Sequence, residues 1–226
     1  MPVTYVTDAE DTDVNVTSTT VPVTPSGTNR YMAVVIAAWD ASTTDSAIAS
    51  VTFNGSGVGW SSLKDELGPG ANVNRAALWG KVAPDAVAAN VVVTYGGTVS
   101  ESGVHVIVAD TVNQSTPVGT AFSGEGTASP ITVTVTGVGN DDLVIDGGYI
   151  HGVPSSVTAG ADQTERANLL ITAANSRIFA STQPGTAGGV MSWTGTMDEW
   201  VQVAVALKGN PGHGRIPELA ALGWNL

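Results

Sequence analysis

The stretch Arg30-Tyr31-Met32-Ala33-Val34-Val35-Ile36-Ala37-Ala38-Trp39-Asp40 is apolar at its odd positions, Tyr31, Ala33, Val35, Ala37 and Trp39. It is equally apolar at its even positions, Met32, Val34, Ile36 and Ala38. An extended strand sends successive side chains to opposite faces, so a strand without a polar face has to be covered on both. The surroundings are rich in Val and Thr, and Pro25 to Asn29 is turn chemistry, which favours a strand over a buried helix. The segment reads as the central strand of a sheet packed by another layer. Val35 and Ile36 are expected in the core, together with Val106, Val108, Val203 and Val205.

A chain of 226 residues can bury a sizeable core within one domain. Charged residues make up only 12% of it, so the surface relies on Thr, Ser and Asn rather than on ion pairs. Acidic residues number 20 against 8 basic, a net charge of −12 that opposes any hold on nucleic-acid phosphates and excludes a nucleic-acid partner. There is no cysteine, which rules out disulfides and thiolate metal sites. No apolar run approaches the roughly 18 residues of a membrane helix, so no membrane partner is expected. Met1-Pro2-Val3-Thr4-Tyr5 lacks the basic and apolar regions of a signal peptide. The chain is expected to be made in the cytoplasm and to stay there or leave without a cleaved N-terminal signal.

Along the chain, residues 1–16 read as an acidic lead-in carrying Asp8, Glu10, Asp11 and Asp13. An edge strand runs from Val14 to Thr24, where Pro22 bars a central position. Ala47 to Asn54 is a second strand, turned by Asn54-Gly55. Gly55 to Val73 has little periodicity and reads as a long connection pinned by Trp60, Leu63 and Leu67. Arg75 to Val82 is a strand ending before Pro84. Asn90 to Tyr95 and Gly103 to Asp110 read as a hairpin joined across Gly96-Gly97. Ile131 to Thr136 alternates strictly, with one face buried and one wet.

The chain then repeats itself. Asn140 to Ile145 echoes the entry into the first central strand, and Arg177-Ile178-Phe179 before Pro184 echoes Ala77-Leu78-Trp79 before Pro84. Met191-Ser192-Trp193 with Gly195, Thr196 and Glu199 matches Val93-Thr94-Tyr95 with Gly97, Thr98 and Glu101. Val201 to Ala206 follows as Val104 to Ala109 does. Two designs about 100 residues apart argue for two similar halves. About eleven short strands between Gly, Pro and Asn turns, with no useful helical period, give an all-β fold: a two-sheet antiparallel sandwich of jelly-roll type. The sandwich domain is assigned to residues 17–208, with residues 209–226 as a C-terminal arm. Ile216, Leu219, Leu222, Trp224 and Leu226 make that arm too apolar to leave in water, and they are the expected partner-binding residues.

Motifs with catalytic potential each have a plainer explanation. Ser61-Ser62-Leu63-Lys64 fits S-x-x-K, without the other motifs of that enzyme class. Asp65-Glu66, Asp141-Asp142 and Asp198-Glu199 are adjacent carboxylates of the kind glycosidases need in space, but all fall at predicted turns. Asp11-Thr12-Asp13-Val14-Asn15 opens like a calcium loop, yet Val16 stands where such a loop needs Gly. His105, His151 and His213 lack ligand spacing, and His105 is expected on the wet face of its strand. Among six tryptophans, Trp60 and Trp224 lie outside predicted strands and are the candidates for outside contacts. No catalytic residue, cofactor or metal is implied.

The order of Asn29 to Trp39, Val51-Thr52-Phe53-Asn54-Gly55, Ala77-Leu78-Trp79, Asp110 to Gly119 and Val203 to Lys208 resembles a recurrent β-sandwich of tailed-bacteriophage structural proteins and some bacterial surface proteins. The likeness spans residues 29 to 208 and is one of pattern. It implies an accessory protein of the virion's outer surface, a capsid decoration or cement protein or a fibre component. Its partners would be the major capsid protein, other virion subunits and further copies of itself. The same sandwich also serves carbohydrate-binding modules, for which the partner is a glycan held on an aromatic platform.

Overall fold

The computed structural model describes residues 1–69, 73–152, 157–171 and 176–210. Among them there is no α-helix, and every strand pairing is antiparallel.

The first sheet is built around β2 (Tyr31–Asp40). In chain order its other members are β1 (Thr4–Val23), β3 (Ile48–Phe53), β4 (Trp60–Leu67), β5 (Val73–Val82) and β6 (Ala89–Asp110). Their order is β1-β6-β2-β5-β4, with β3 on the free flank of β6. The second half of the chain supplies β7 (Phe122–Gly126), β8 (Ile131–Thr134), β9 (Leu143–His151), β10 (Thr158–Ala159), β11 (Thr164–Ile171), β12 (Ser176–Pro184), β13 (Val190–Thr194) and β14 (Glu199–Leu207). A five-stranded sheet runs β11-β12-β9-β14-β7, and a three-stranded one β10-β13-β8.

The double apolar face of β2 is satisfied by two different cores. Its odd residues Tyr31, Ala33, Val35 and Ala37 join Ile145, Tyr149, Val201, Val203 and Val205 in the core between the two large sheets. Its even residues Met32, Val34, Ile36 and Ala38 join Val21, Val51, Phe53, Val91 and Val93 in a second core on the far side. Full burial of each such side chain contributes about 1.5–3 kcal/mol. The three-stranded sheet covers the other large sheet in the same way, through Ile131, Ile150, Phe179 and Trp193 and through Val133, Val144, Met191 and Ala204. Four layers result, so the two-sheet sandwich expected from the sequence is short by one layer on each side. The six named core residues, Val35, Ile36, Val106, Val108, Val203 and Val205, are all fully buried.

Two long strands make the extra layer in the first half. β6 pairs with β2 through Glu101 to Ala109 and with β3 through Val91 to Tyr95. The expected hairpin across Gly96-Gly97 is therefore one strand that bends from layer to layer. Gly96 N donates to Ala47 O (2.8 Å) and Gly97 N to Asp45 O (3.2 Å), which carries the backbone onward instead of folding it back. Neither glycine has room for a Cβ: the added atom at Gly96 would lie 2.3 Å from Thr44 O. Similarly, 191–193 and 201–206 belong to different sheets. The acidic lead-in is not a separate segment from Thr4 onward, because Thr4 to Val16 pair with Asp110 to Val99 as the first stretch of β1.

β4 falls where the sequence predicts a long connection. A bulge between Ser62 and Lys64 breaks the alternation, which hides Trp60, Leu63 and Leu67 from a period-two reading. Glycine sets the spacing of the two large sheets at one point, since a Cβ on Gly147 would come within 2.7 Å of a Val35 methyl. The knob of one sheet fills the hole of the other.

One carboxylate of the second half is wholly withdrawn from water. Asp146 is fully buried and accepts hydrogen bonds from Ser181 N (2.9 Å), the Ser181 hydroxyl, Trp193 Nε1 (2.8 Å) and Gln202 Nε2 (2.6 Å). Burial outweighs these donors and pushes its carboxyl up from 3.8 to about 6. The folded state therefore holds this proton more tightly than the unfolded chain. Its contribution is most favourable below about pH 4 and is lost as pH rises through about 6. The difference in unfolding free energy between wild type and Asp146→Asn should change by up to about 3 kcal/mol over that window, in favour of wild type at the acid end. Urea denaturation at pH 4, 5, 6 and 7 measures it, and a flat difference would show the carboxyl to be unshifted.

Candidate functional site

The strands of the two large sheets end at two poles, and the groups with chemical potential collect there. At the first pole the two ends of the described chain meet. The Met1 nitrogen donates to Asp141 Oδ2 (3.1 Å) and to Asn210 O (2.5 Å), and Val3 N donates to Asp141 O (2.8 Å). Asp142, 8% exposed, accepts from Gly139 N (2.7 Å), Gly209 N (3.1 Å) and Lys208 Nζ (2.6 Å). Lys208 Nζ also donates to Gly137 O (2.7 Å), and Asn113 N donates to Lys208 O (2.8 Å). The adjacent pair Asp141-Asp142 is thus a clamp on residues 208–210. The expected partner-binding residues Ile216, Leu219, Leu222, Trp224 and Leu226 lie outside the described residues, as does His213.

The second pole is polar and bridges the sheets. Trp39 stands between Asn74 on β5 and Glu101 on β6 in one sheet, and Glu199 faces His151 across β14 and β9 in the other. Two hydrogen-bonded links cross the gap. Asn74 Nδ2 donates to Glu199 Oε2 (2.7 Å), and Tyr149 OH donates to Glu101 Oε2 (2.7 Å) with the Ser176 hydroxyl 2.7 Å away. Burial, and after it the Glu101 charge, push the Tyr149 hydroxyl far above its ordinary range, so it remains a donor. Pairing Glu101 with Glu199 was legible in the sequence repeat. Asn74, Tyr149 and Ser176 carried no such signal, because only the packing of one sheet on the other brings them together.

His105 is fully buried, not on a wet face. Its Nδ1 lies 3.1 Å from Glu10 Oε2 and its Nε2 3.6 Å from Asp8 Oδ2. The strand around it is apolar on both faces, so no wet face exists, and two acids of the edge strand supply its partners. The remaining motifs dissolve into structure. Ser61 and Lys64 lie on a bulged strand, not one helical turn apart, and Lys64 Nζ meets Glu66 (3.2 Å). Asp65 pairs with Arg75, and Glu66 accepts from the Ser123 hydroxyl. Asp11, Asp13 and Asn15 are part of extended β1 rather than of a loop. Trp60 is half-buried, with the Lys81 ammonium 5.9 Å from its ring centroid. Trp193 and Trp200 are core residues, Trp200 Nε1 donating to Ala128 O (2.9 Å).

No protein-family model, curated protein or solved structure matches the chain.

The clamp at the first pole makes a direct prediction. Asp142→Ala leaves two backbone donors and an ammonium without their acceptor, which should cost about 1–3 kcal/mol. Urea denaturation reads the loss, and limited proteolysis should show faster cutting after Lys208 than in wild type.

Proposed function

We propose that this protein is a non-enzymatic structural component of a tailed-phage particle, a capsid decoration or cement protein on the virion's outer surface. It would be made in the host cytoplasm and bind the major capsid protein through the arm at residues 209–226. The observation that carries the reading is the clamp at the first pole. Lys208, Gly209 and Asn210 are fixed against Asp141, Asp142 and Met1, so the apolar segment that follows starts from a rigid root. A rigid root lowers the entropy lost when an apolar arm docks on a partner. The net charge of −12 suits the outside of a genome-containing shell, away from nucleic acid.

The jelly-roll-like body is read as two similar halves. In support, β1-β6-β2-β5-β4 corresponds in chain order to β7-β14-β9-β12-β11. The flanking trio around β13, β8 and β10, likewise corresponds to the ends of β1 and β6 with β3. The bulge between Ser62 and Lys64 on β4 has its counterpart between Glu165 and Ala167 on β11. A doubled body of this kind offers related surfaces to neighbouring subunits, which suits assembly into an oligomer on a symmetric shell.

A chain ending at Gly209 should keep its β-type circular dichroism and cooperative unfolding while losing co-sedimentation with shells of the major capsid protein. Undiminished incorporation into particles would overturn the reading.

A further inference from the structure

We infer that an apolar loop face of the first half, at the pole where the arm emerges, is a second contact with the major capsid protein and takes its aliphatic side chains, an inference that rests on the assembly reading. Two loops form the face, residues 54–59 between β3 and β4 and residues 83–88 between β5 and β6. They read Asn-Gly-Ser-Gly-Val-Gly and Ala-Pro-Asp-Ala-Val-Ala, with Asp85 their only charge. Val58 is 78% exposed and Val87 43%, and Val82, the last residue of β5, is exposed too. The loops are tied together, since Lys81 Nζ donates to Val58 O and Asn54 N to Asn90 O (3.1 Å). The other exposed valines and leucines among the described residues, Val14, Leu67, Leu170 and Val190, lie singly on four different strands and need no partner.

The face is also concave. Two open hollows, of about 460 and 450 Å³, flank Ala88-Ala89-Asn90. Asn54, Gly55 and Val92 complete one, and Pro22, Val23 and Thr24 wall the other, with Asp8 the only charged side chain in either lining. Small aliphatic walls without convergent polar groups suit the side chains of a protein surface rather than a small polar ligand. Neither lining holds an aromatic ring on which a sugar could stack.

What lies against this face follows from where the arm starts. Arg30 O accepts from Ala83 N (2.9 Å) and from Gln114 Nε2 (3.3 Å), and Asn113 N donates to Lys208 O (2.8 Å). The loop at 83–88 and the root of the arm are thus neighbours at one pole. Residues 211–226 follow Asn210, a reach of at most about 50 Å, so a shell held by the arm lies in front of this pole. Tethering raises the effective concentration of one surface at the other, and a modest apolar contact then adds to the arm. Charge agrees with this. Asp13, Glu101 and Glu199 lie towards the opposite pole, leaving a face with little charge to desolvate.

Val58→Asp/Val87→Asp should fold as wild type, since both side chains are exposed, and urea denaturation checks this. In co-sedimentation with shells of the major capsid protein it should bind about tenfold more weakly or worse. Val58→Leu/Val87→Leu should keep wild-type binding. So should Val14→Asp/Leu170→Asp, which adds the same charge towards the opposite pole. Wild-type binding by Val58→Asp/Val87→Asp overturns the inference, and a chain ending at Gly209 that loses binding in the same assay leaves the assembly reading standing without it. An equal loss in Val14→Asp/Leu170→Asp also overturns it, by assigning the effect to charge. A changed sedimentation coefficient of isolated Val58→Asp/Val87→Asp, with shell binding intact, assigns the face to a second copy and overturns it as well. Wild type that fails to bind shells ends the assembly reading and this inference together.

Discussion

Everything in this fold follows from two strands that have no side to show to water. β2 and β9 are buried on both faces over nearly their whole length, so each needs one layer in front and another behind. The front layers are the two large sheets themselves, which cover each other. The rear layers come from the bent ends of β1 and β6 with β3, and from the sheet of β8, β13 and β10. A chain with so few charges can meet this demand because its apolar content sits in Val, Ala and Ile, which pack well on pleated surfaces.

The cost of four layers is that polar groups get caught inside, and the two halves handle this differently. Val34 and Val104 lie in the outer core of the first half, where Tyr95 OH, Ser102 and Thr19 form a small hydroxyl cluster near the bend. The second half buries Asp146 with Ser181, Trp193 and Gln202, and leaves Gln202 Oε1 and Gln183 Oε1 without partners. Such a network ties the covering sheet to the large one, since Trp193 of β13 donates to the Asp146 carboxylate of β9. Its price in burial is visible in the raised carboxyl.

Much of the fold was legible because its main signals are local. The double-faced stretch at residues 31–40 identified the central strand, Pro22 identified an edge strand, and the alternation at Ile131 to Thr134 identified a half-wet one. What failed was non-local. Gly96-Gly97 looks like a hairpin turn, and only contact with Thr44 and Asp45 reveals that the glycines are there to let another backbone approach. β4 was hidden by its bulge, and His105 was assigned to water because nothing in its own strand announces Asp8 and Glu10 across the pairing. The polar pole was half legible: the repeat aligned Glu101 with Glu199, but Asn74, Tyr149 and Ser176 meet them only when the sheets close.

The same constraint decides where function can reside. The faces of the central strands are consumed by packing, and the edges are guarded. β4 and β11 each carry a bulge and charged side chains, Lys64, Asp65 and Glu66 on one and Glu165 and Arg166 on the other, which discourage further strand addition. Among the described residues, the poles combine strand ends with polar side-chain chemistry. One pole gathers the two ends of the described chain into a clamp of fixed geometry, and the other gathers acids from both sheets around Tyr149. A body built this way separates the clamped chain ends from the opposite pole by the full length of its strands, so that the side chains of either pole can change without disturbing the core between them.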